Sequence, residues 1–430
     1  MTKLYPERYI TAQEAAQKIK DGDKIGFGGI YGAPEALMLA LGERMPDLKD
    51  VETYSMSSNG SAPQCSPEAV GHIRHNTLFA GRHDRKALEE GRADFIPRNF
   101  SGYPSFFADM KMDVALFNVS PPDRHGFVSF GINVHYMMAM LKTAKLKIAQ
   151  VNNCMPRCHG ESFAHVSQFD WLVEAESPLI ELKREEELGG IADAIGKNCA
   201  DLVEDGATLQ LGIGLLPNAT LFHLKDKKDL GVHSETFSDS VMDLVEAGVI
   251  TNAKKTLHPG RMLATFLMGT RKFYDFIDDN PSIYMAPVDY TNDPYVIAQN
   301  DRFVSINSCI QVDLMGQICA ESFGLRQFSA VGGQVDFVRG AQMSKGGVSI
   351  IAFPSTTGDQ KISKIVPFLD HGTAVTTSRN DVSYVITEYG SFNLQGKSLR
   401  ERARGLIGLA HPNFRQALTE EYERRFKTSW

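Results

Sequence analysis

Apolar runs that end in glycines occur twice along the chain, and a helical pattern follows each of them. DGDKIGFGGIYGAP spans residues 21–34, and DGATLQLGIGLLP spans residues 205–217. An apolar run that closes on glycines and reopens as a helix predicts a strand, a phosphate-type loop and a helix start. Two copies in one chain predict two related, open α/β domains with mainly parallel sheets, produced by internal duplication.

The pattern around the first copy predicts a βαβ unit. Thr11 and Glu14 form a capping box before an amphipathic helix that ends near Lys20. A Pro at the first helical position indicates where the second helix begins. The predicted elements are a strand at 24–29, a helix from 34 to about 41, and strands at 51–56, 114–119 and 146–151.

A charged segment, ELKREEELGG at residues 181–190, closes on two glycines and predicts the domain boundary. The chain is therefore divided into an N-terminal domain, 1–188, and a C-terminal domain, 189–430. After the boundary the pattern restarts. It predicts a helix at 191–204, a strand at 207–214, a helix from about 218, strands at 304–310, 348–353 and 384–387, and two C-terminal helices separated by a His-Pro break.

Composition and charge narrow the functional classes. A chain of 430 residues with 43% hydrophobic residues is long enough for two or three packed domains. A net charge of −7 gives no basic field of the kind that nucleic-acid-binding proteins use. The N-terminus lacks a signal-peptide core and no apolar run reaches membrane-spanning length, which predicts a cytoplasmic protein without a membrane partner.

The second glycine loop, 212–217, can present backbone N–H groups to an anion or to a developing oxyanion. Glycines needed only for a tight turn are the simpler explanation. A dinucleotide site is a further alternative, because Glu235 follows Gly214 at the spacing of a ribose-binding acid. Pro217, however, stands where that motif has its third glycine. An NAD-dependent dehydrogenase therefore remains an alternative.

Glu235 is the candidate nucleophile of the second half. It lies in HSETFSD, just before a helical pattern, where a carboxylate can serve covalent catalysis or simply act as an N-terminal helix charge. The first half has Ser57-Ser58-Asn59-Gly60 at the matching place and no acid. A glycine pair, Gly332-Gly333, is either a second set of N–H donors or a plain turn.

Other catalytic signatures are weak or missing from the sequence. Cys154, Cys158 and His159 have an irregular spacing for structural zinc and lack a second ligand pair, so no metal site is predicted. The six cysteines have no regular spacing and are expected to be reduced thiols. No G-x-S-x-G and no Walker A pattern occurs.

Several ordered stretches resemble the acetyl-CoA hydrolase/transferase family, and within it the 4-hydroxybutyrate CoA-transferase group. The resemblance covers nearly the whole chain. It rests on VSPPDRHGFVSFG (119–131), QVNNCMPRCHGESFAHVS (150–167), EDGATLQLGIGLLPNA (204–219), LGVHSETFSDSVMDLVEAGVIT (230–251), KKTLHPGRMLATFLMG (254–269), VSINSCIQVDLMGQ (304–317), GGQVDFVRGA (332–341) and TEYGSFNLQGKSLRERARGLIGLAHP (387–412).

The resemblance implies the CoA-transferase fold, a ping-pong mechanism through a glutamyl-CoA thioester on Glu235, and no tightly bound cofactor. Oxyanion contacts fall to the backbone N–H groups of Leu216 and Gly333. The positions implied for the thiol end of CoA and its oxyanion are Gln210, Gly212, Ile213, Gly214, Leu215, Leu216, Asn307, Gly332, Gly333 and Gln334, with Lys361 nearest to a phosphate-binding lysine; Tyr31, Ser58 and Asn59 fall in the acyl pocket.

The implied partners are acyl-CoA, a small carboxylic acid and a second copy of the chain in a homodimer. The first half departs from the 4-hydroxybutyrate pattern at 28–31, 58–62 and the cysteines at 154 and 158, so butyrate, itaconate, propionate and succinate are further candidate acids. An acyl-CoA hydrolase is the main alternative, because the two activities differ in whether water reaches the thioester. A non-enzymatic binding module is the remaining one.

Overall fold

A computed structural model describes residues 4–183 and 189–430. These residues form two compact units. One unit comprises the described residues up to Lys183 together with Leu263–Thr291 and Gln327–Gly332, and the other comprises 189 to Met262, Asn292–Arg326 and Gly333–Trp430. Most of the charged segment predicted as the boundary, residues 184–188, lies outside the described residues. Division at 188 into two continuous domains stays a prediction; in the structure, two segments from the second half of the chain belong to the first compact unit.

Short strands and helices alternate along the chain. The strands are β1 Lys24–Phe27, β2 Val51–Met56, β3 Ile73–Phe79, β4 Ala93–Phe95, β5 Val114–Val119, β6 Phe127–Ser129, β7 Leu146–Asn152, β8 Phe163–His165, β9 Trp171–Ala175, β10 Thr208–Leu211, β11 Gly231–Val232, β12 Met262–Ala264, β13 Ile283–Met285, β14 Phe303–Asn307, β15 Gln311–Asp313, β16 Ile318–Cys319, β17 Ser322–Phe323, β18 Arg326–Gln327, β19 Val348–Ala352, β20 Ile365–Val366, β21 Tyr384–Thr387 and β22 Gly390–Asn393.

The helices connect these strands and cover the sheets. They are α1 Ala12–Ala16, α2 Glu35–Arg44, α3 Arg82–Glu89, α4 Tyr103–Met110, α5 Met137–Thr143, α6 Gly190–Ala200, α7 Leu215–Phe222, α8 Asp239–Glu246, α9 Arg271–Ile277, α10 Val288–Thr291, α11 Pro294–Ile297, α12 Gln334–Met343, α13 Leu399–Leu409 and α14 Pro412–Phe426. None of the described helices is both long and apolar enough to cross a membrane.

The first unit is built on a seven-stranded sheet with the order β4-β3-β2-β1-β5-β7-β9. Every pairing in it is parallel. Parallel sheets bury both faces, and β5 accordingly has no exposed residue. Ile25, Leu37, Val114 and Ile148 contribute to the core below this sheet.

The second unit is built on a six-stranded sheet with the order β11-β10-β14-β19-β21-β22. Its pairings are parallel except between β21 and β22, which form an antiparallel hairpin. A core of Val312, Ile351, Val385, Leu406 and other side chains lies between this sheet, the β15–β16 hairpin and the two C-terminal helices. The predicted α/β class with two mainly parallel sheets is therefore confirmed.

The two glycine-ended strands occupy matching positions in the two sheets. β1 lies between β2 and β5, and β10 lies between β11 and β14. In each case a helix, α2 or α7, connects the strand to its first parallel neighbour. The same βαβ topology at both places agrees with the duplication that the sequence predicts.

Most predicted elements are present, with shifts at their ends. β2 and β5 have the predicted bounds, and the capping box of Thr11 and Glu14 is formed. The first helix ends at Ala16 rather than near Lys20, and α7 begins at Leu215 rather than near Asn218. The second shift arises because Gly214 is the helix N-cap, with φ 110°, so that the helix starts directly on the glycine loop.

Close packing of α6 on α7 depends on Gly196. A Cβ atom added there would lie 2.6 Å from the backbone carbon of Ala219, whereas one added at Gly190 in the same helix meets nothing within 4 Å. We expect Gly196→Ala to destabilise the protein by about 1–3 kcal/mol through overpacking. Gly190→Ala should be neutral or stabilising by up to about 1 kcal/mol. Urea unfolding followed by circular dichroism measures both; equal midpoints would contradict the packing argument.

Candidate functional site

Glu235 lies at the carboxyl ends of the parallel strands in the second unit. It follows β11, while the glycine loop 212–214 follows the adjacent strand β10. In open α/β sheets ligands bind outside the carboxyl ends of the strands, because loops and helix N-termini converge there. The hydroxyl of Ser234 donates to the carbonyl of Leu211 at 3.0 Å. This bond ties the residue before Glu235 to the end of β10.

The Glu235 carboxylate is partly buried and has two hydrogen-bond donors. Asn292 Nδ2 donates to Oε2 at 3.0 Å, and the backbone N–H of Gly333 also bonds the carboxylate. Burial raises the pKa of Glu235 to about 7, and the negative charge of Asp336 adds to the rise; the two hydrogen bonds oppose it. A carboxylate with such a pKa is a candidate for covalent or acid–base chemistry.

The glycine pair is explained by this contact. A Cβ atom at Gly333 would lie 2.2 Å from both Asn292 Nδ2 and Glu235 Oε2, so a side chain at this position is incompatible with the arrangement. Gly333 is also the N-cap of α12, whose first turn carries the buried Asp336. Gly332 has φ 55° and belongs to the first unit, where its carbonyl accepts from the N–H of Phe100.

Side chains from one loop hold the outer edge of β11. Asn252 Oδ1 accepts from the N–H of Val232 at 2.9 Å, and Lys255 Nζ donates to the carbonyl of Val232 at 2.8 Å and to that of Arg261 at 2.6 Å. Burial lowers the pKa of Lys255 to about 7. The backbone N–H and C=O groups of Val232, the last residue of β11, are thus both hydrogen-bonded to side chains.

A cavity of about 490 Å³ opens on the glycine loop of the second unit. Ile213, Leu215 and Leu216 line it, and their assignment to the thiol end of CoA stays a prediction. Lys364 also lines the cavity, whereas Lys361 is exposed and lies 3.7 Å from Asp359. Sequence reasoning missed Lys364, because only the loop conformation distinguishes the two lysines. The other lining residues are Gly189, Ile191, Ala192, Pro217, Ser308, Pro354, Thr356, Thr357 and Gly358.

The remaining predicted positions of the second unit lie on strands, on a helix and in the glycine loop. Gln210 and Asn307 lie on the neighbouring strands β10 and β14 and bond each other through both amide groups, at 3.3 and 3.2 Å. The Gln334 amide donates to Thr377 Oγ1 at 3.0 Å. Gly212 and Gly214 belong to the loop itself. A Cβ atom added at Gly212 would lie 3.9 Å from a ring carbon of Pro217.

The predicted acyl-pocket residues lie in the first unit, which contains a cavity of about 180 Å³. Tyr31 lines this cavity, and burial raises the pKa of its hydroxyl. Ser58 and Asn59 are linked to the same loop through Ile30, whose carbonyl accepts from the N–H of Asn59 at 3.1 Å. Ile30 has φ 57°, a strained conformation for a β-branched residue that often marks functional loops.

Glu35 is a cavity residue that sequence reasoning missed. Its carboxylate lines the same cavity and accepts from the backbone N–H of Ser61 at 3.0 and 3.1 Å. Asn118 and Asn152, at the carboxyl ends of β5 and β7, are further polar lining residues. The sequence could not indicate this role, because an acid at the start of a predicted helix, as Glu35 is, is ordinarily explained by the favourable interaction of its charge with the helix N-terminus.

The cysteine cluster considered as a metal site is not the one that the structure assembles. His159 Nε2 lies 2.9 Å from Asp279, and Cys158 is buried. Among the described residues, Cys65, His75 and Asp84 are the group whose ligand atoms lie within 4.8 Å of one another. Both ring nitrogens of His75 already have partners, Thr53 Oγ1 at 2.9 Å and Asp84 Oδ1 at 3.1 Å. Hydrogen bonding accounts for this buried cluster.

Family models match both halves of the chain. The acetyl-CoA hydrolase/transferase N-terminal domain matches residues 1–181, and the C-terminal domain of the same description matches residues 269–422. Together these two matches cover well over half of the sequence.

Individual proteins align over nearly the full length. A 4-hydroxybutyrate coenzyme A transferase of Clostridium kluyveri is 52% identical, with 99% of each chain covered. A succinyl-CoA:cyclohexane-1-carboxylate CoA transferase of Geobacter metallireducens is 41% identical, with 98% of this chain and 96% of that protein covered. The solved structure of RipA from Yersinia pestis superposes with a TM-score of 0.92 at 38% identity and 99% coverage of both chains.

The raised pKa of Glu235 predicts a pH-dependent stability difference. Below its unfolded pKa near 4.5 the group is protonated in both states; between 4.5 and about 7 only the unfolded chain ionises, so the native protein loses stability as pH rises. Relative to wild type, Glu235→Gln should gain about 3 kcal/mol as pH rises from 4.5 to 7 and then level off. Thermal unfolding across this range measures it. Exposed Glu204→Gln is the control, and a flat difference for both variants would refute the assignment.

Proposed function

Since the chain belongs to the acetyl-CoA hydrolase/transferase family, we propose that it transfers coenzyme A between a short-chain acyl-CoA and a carboxylic acid. The observation that carries the proposal is the environment of Glu235. One partly buried carboxylate is oriented by Asn292 and Gly333 at the carboxyl edge of a parallel sheet, near a cavity-forming glycine loop. Such a group needs only deprotonation and a thioester to begin covalent catalysis.

The proposed reaction exchanges one activated acyl group for another. A Glu235 oxygen attacks the thioester carbonyl, the C–S bond breaks, and CoA leaves as the thiolate, which gives an acyl-glutamyl anhydride. The thiolate then attacks the glutamyl carbonyl and expels the first acid, leaving a glutamyl-CoA thioester. An acceptor carboxylate reverses these two steps. No proton is consumed overall, and the kinetics are ping-pong.

Backbone N–H groups are proposed to stabilise the oxyanions of these steps. Gly333 already donates toward the carboxylate, and Leu216 lies in the first turn of α7, where backbone N–H groups have no partner inside the helix. The pKa of Glu235 near 7 matches this role, because the ionised nucleophile becomes available close to neutral pH.

The acid substrate is proposed to be a short-chain acid such as 4-hydroxybutyrate, butyrate or itaconate. The relative with 52% identity is named for 4-hydroxybutyrate, but the one with 41% identity is named for cyclohexane-1-carboxylate, so the family tolerates different acids. Tyr31 is proposed to select the acid, together with Ser58 and Asn59, which are linked to the same loop through the bridge between Ile30 and Ser58. Action as a cytoplasmic homodimer completes the proposal.

Hydrolysis is the second candidate function, because the family description includes acetyl-CoA hydrolases. Both activities share the glutamyl-CoA thioester and differ only in the group that attacks it. A carboxylate acceptor gives transfer, and water gives hydrolysis. The rate of acyl-CoA loss without any acceptor therefore separates them.

The central prediction concerns Glu235 and the acceptor. With acetyl-CoA and a panel of short carboxylic acids, we expect acceptor-dependent formation of new acyl-CoA, with kcat/KM rising with pH through about 7. Glu235→Gln should lose at least about 10³-fold in rate. Borohydride added with acyl-CoA should modify Glu235, detected by mass spectrometry of the peptide. Loss of acyl-CoA at the same rate with and without acceptor would establish the hydrolase instead.

A second prediction separates two lysines that lie three positions apart. Lys364 lines the cavity beside the glycine loop and is proposed to contact a CoA phosphate, whereas exposed Lys361 pairs with Asp359. Lys364→Ala should raise KM for CoA esters about tenfold with kcat little changed, since a charge-assisted contact is lost in both ground and transition states. Lys361→Ala is the matched control. If Lys361→Ala raised KM and Lys364→Ala did not, the phosphate contact would be assigned to Lys361.

A further inference from the structure

Three arginines in the second unit converge on one methionine. Arg379 Nη1 lies 3.2 Å and Arg425 Nη2 2.7 Å from the sulfur of Met315, and Arg402 Nη1 donates to the Met315 carbonyl at 3.3 Å. Met315 is in the turn between β15 and β16, Arg402 is on α13 and Arg425 is on α14. We call Arg379, Arg402 and Arg425 around Met315 the arginine cluster.

Arg379 and Arg425 donate to a weak acceptor, the Met315 sulfur. A thioether sulfur is a poor hydrogen-bond acceptor, and it faces two guanidinium groups here. Arg425 Nη1 is buried and has no hydrogen-bond partner among the described residues. In the described part of the chain, Arg402 donates to three backbone carbonyls, those of Lys397, Met315 and Arg379. Burial and the positive charge of Arg379 both lower the pKa of Arg402.

Acidic side chains close to the cluster in sequence are engaged elsewhere. Glu401 accepts from the hydroxyl of Ser398, and Glu423 accepts from the backbone N–H of Trp430. Asp313 accepts from the N–H groups of Met315 and Gln317 and from the Gln317 amide. Asp381 pairs with Arg339 at 3.1 Å, and Glu421 pairs with Arg424 at 2.6 Å. Within the described ranges, no ion pair joins a carboxylate to any arginine of the cluster.

The cluster is also held rigidly. Leu314, Ile318, Leu406 and Tyr422 from the same hairpin and helices are core residues. The Arg425 guanidinium lies 5.6 Å from the ring centre of Phe368 and 5.8 Å from that of Phe426. Donors fixed in place before a ligand arrives lose little entropy on binding.

We propose that the arginine cluster is a binding site for a phosphate or diphosphate anion, either free or as part of a nucleotide. Guanidinium groups present forked N–H donors that match phosphate oxygens bidentately. A single carboxylate neutralises one of the three charges, whereas a phosphate group carries nearly two and a diphosphate more. This site is built from the hairpin and C-terminal helices and does not depend on the proposed transfer reaction.

Adjacent arginines on α14 supply a matched test. Thermal unfolding of the full-length protein is followed in low-salt buffer as pyrophosphate is added, with sodium chloride of equal ionic strength as the reference. We expect saturable stabilisation of wild type by about 3 °C. Arg424→Gln, which removes an arginine paired with Glu421, should keep this response. Arg425→Gln and Arg379→Gln should each weaken pyrophosphate binding at least tenfold, measured by calorimetric titration.

The result also assigns the source of the anion. R425Q-sensitive binding of pyrophosphate alone supports a free anion, and equal sensitivity for ADP supports a nucleotide. Titration with CoA and dephospho-CoA tests whether the 3′-phosphate of the substrate is bound there. No stabilisation of wild type by any of these compounds, or an identical response in Arg425→Gln, overturns the proposal. Concentration-dependent dimerisation that is lost in Arg425→Gln, without anion binding, would assign the charges to a carboxylate of a second copy.

Discussion

The carboxylate of Glu235 is the group around which the second unit is arranged. Removing a carboxylate from water is costly, and Asn292 and Gly333 offset part of that cost by donating hydrogen bonds. A side chain at Gly333 would force Glu235 and Asn292 to move from this contact. Burial keeps the pKa of Glu235 near 7, above the ordinary value of a glutamate. In the proposed reaction, a covalent bond to an acyl group would remove this charge.

The two halves use the same βαβ topology in different ways. In the second unit the loop after β10 opens on a large cavity, and the next strand leads to an acid. In the first unit the loop after β1 carries the strained Ile30 and bounds a smaller, polar cavity. Duplication preserved the backbone path while the loops diverged, as expected when a scaffold positions loops that carry function.

Sequence patterns predict helices and strands correctly where burial along the element is periodic or continuous. β5 reads as an apolar run because both faces of a parallel sheet are covered, and its bounds are correct. β11 has two residues, too few for any pattern. Asn292 is 57 residues from Glu235, and its role depends on a tertiary contact that no local signal reveals. Lys364 and Glu35 are also not predictable from local sequence, because the conformation of a loop or of a helix end decides whether each side chain lines its cavity. Segments 263–291 and 327–332 join the first unit for tertiary reasons that composition does not show.

The loop that holds β11 has a consequence for how the protein meets other chains. An edge strand normally exposes N–H and C=O groups that can pair with a foreign strand, which leads to aggregation or peptide capture. At Val232 both groups are taken by Asn252 and Lys255 side chains, and Leu230 is bridged to Ile250. The Asn252 and Lys255 side chains and the bridge to Ile250 therefore occupy the hydrogen-bonding groups of this edge, and no further strand is needed. The edge of the sheet that leads to Glu235 is thereby protected from pairing with a foreign strand, although among the described residues no strand of the sheet lies outside β11.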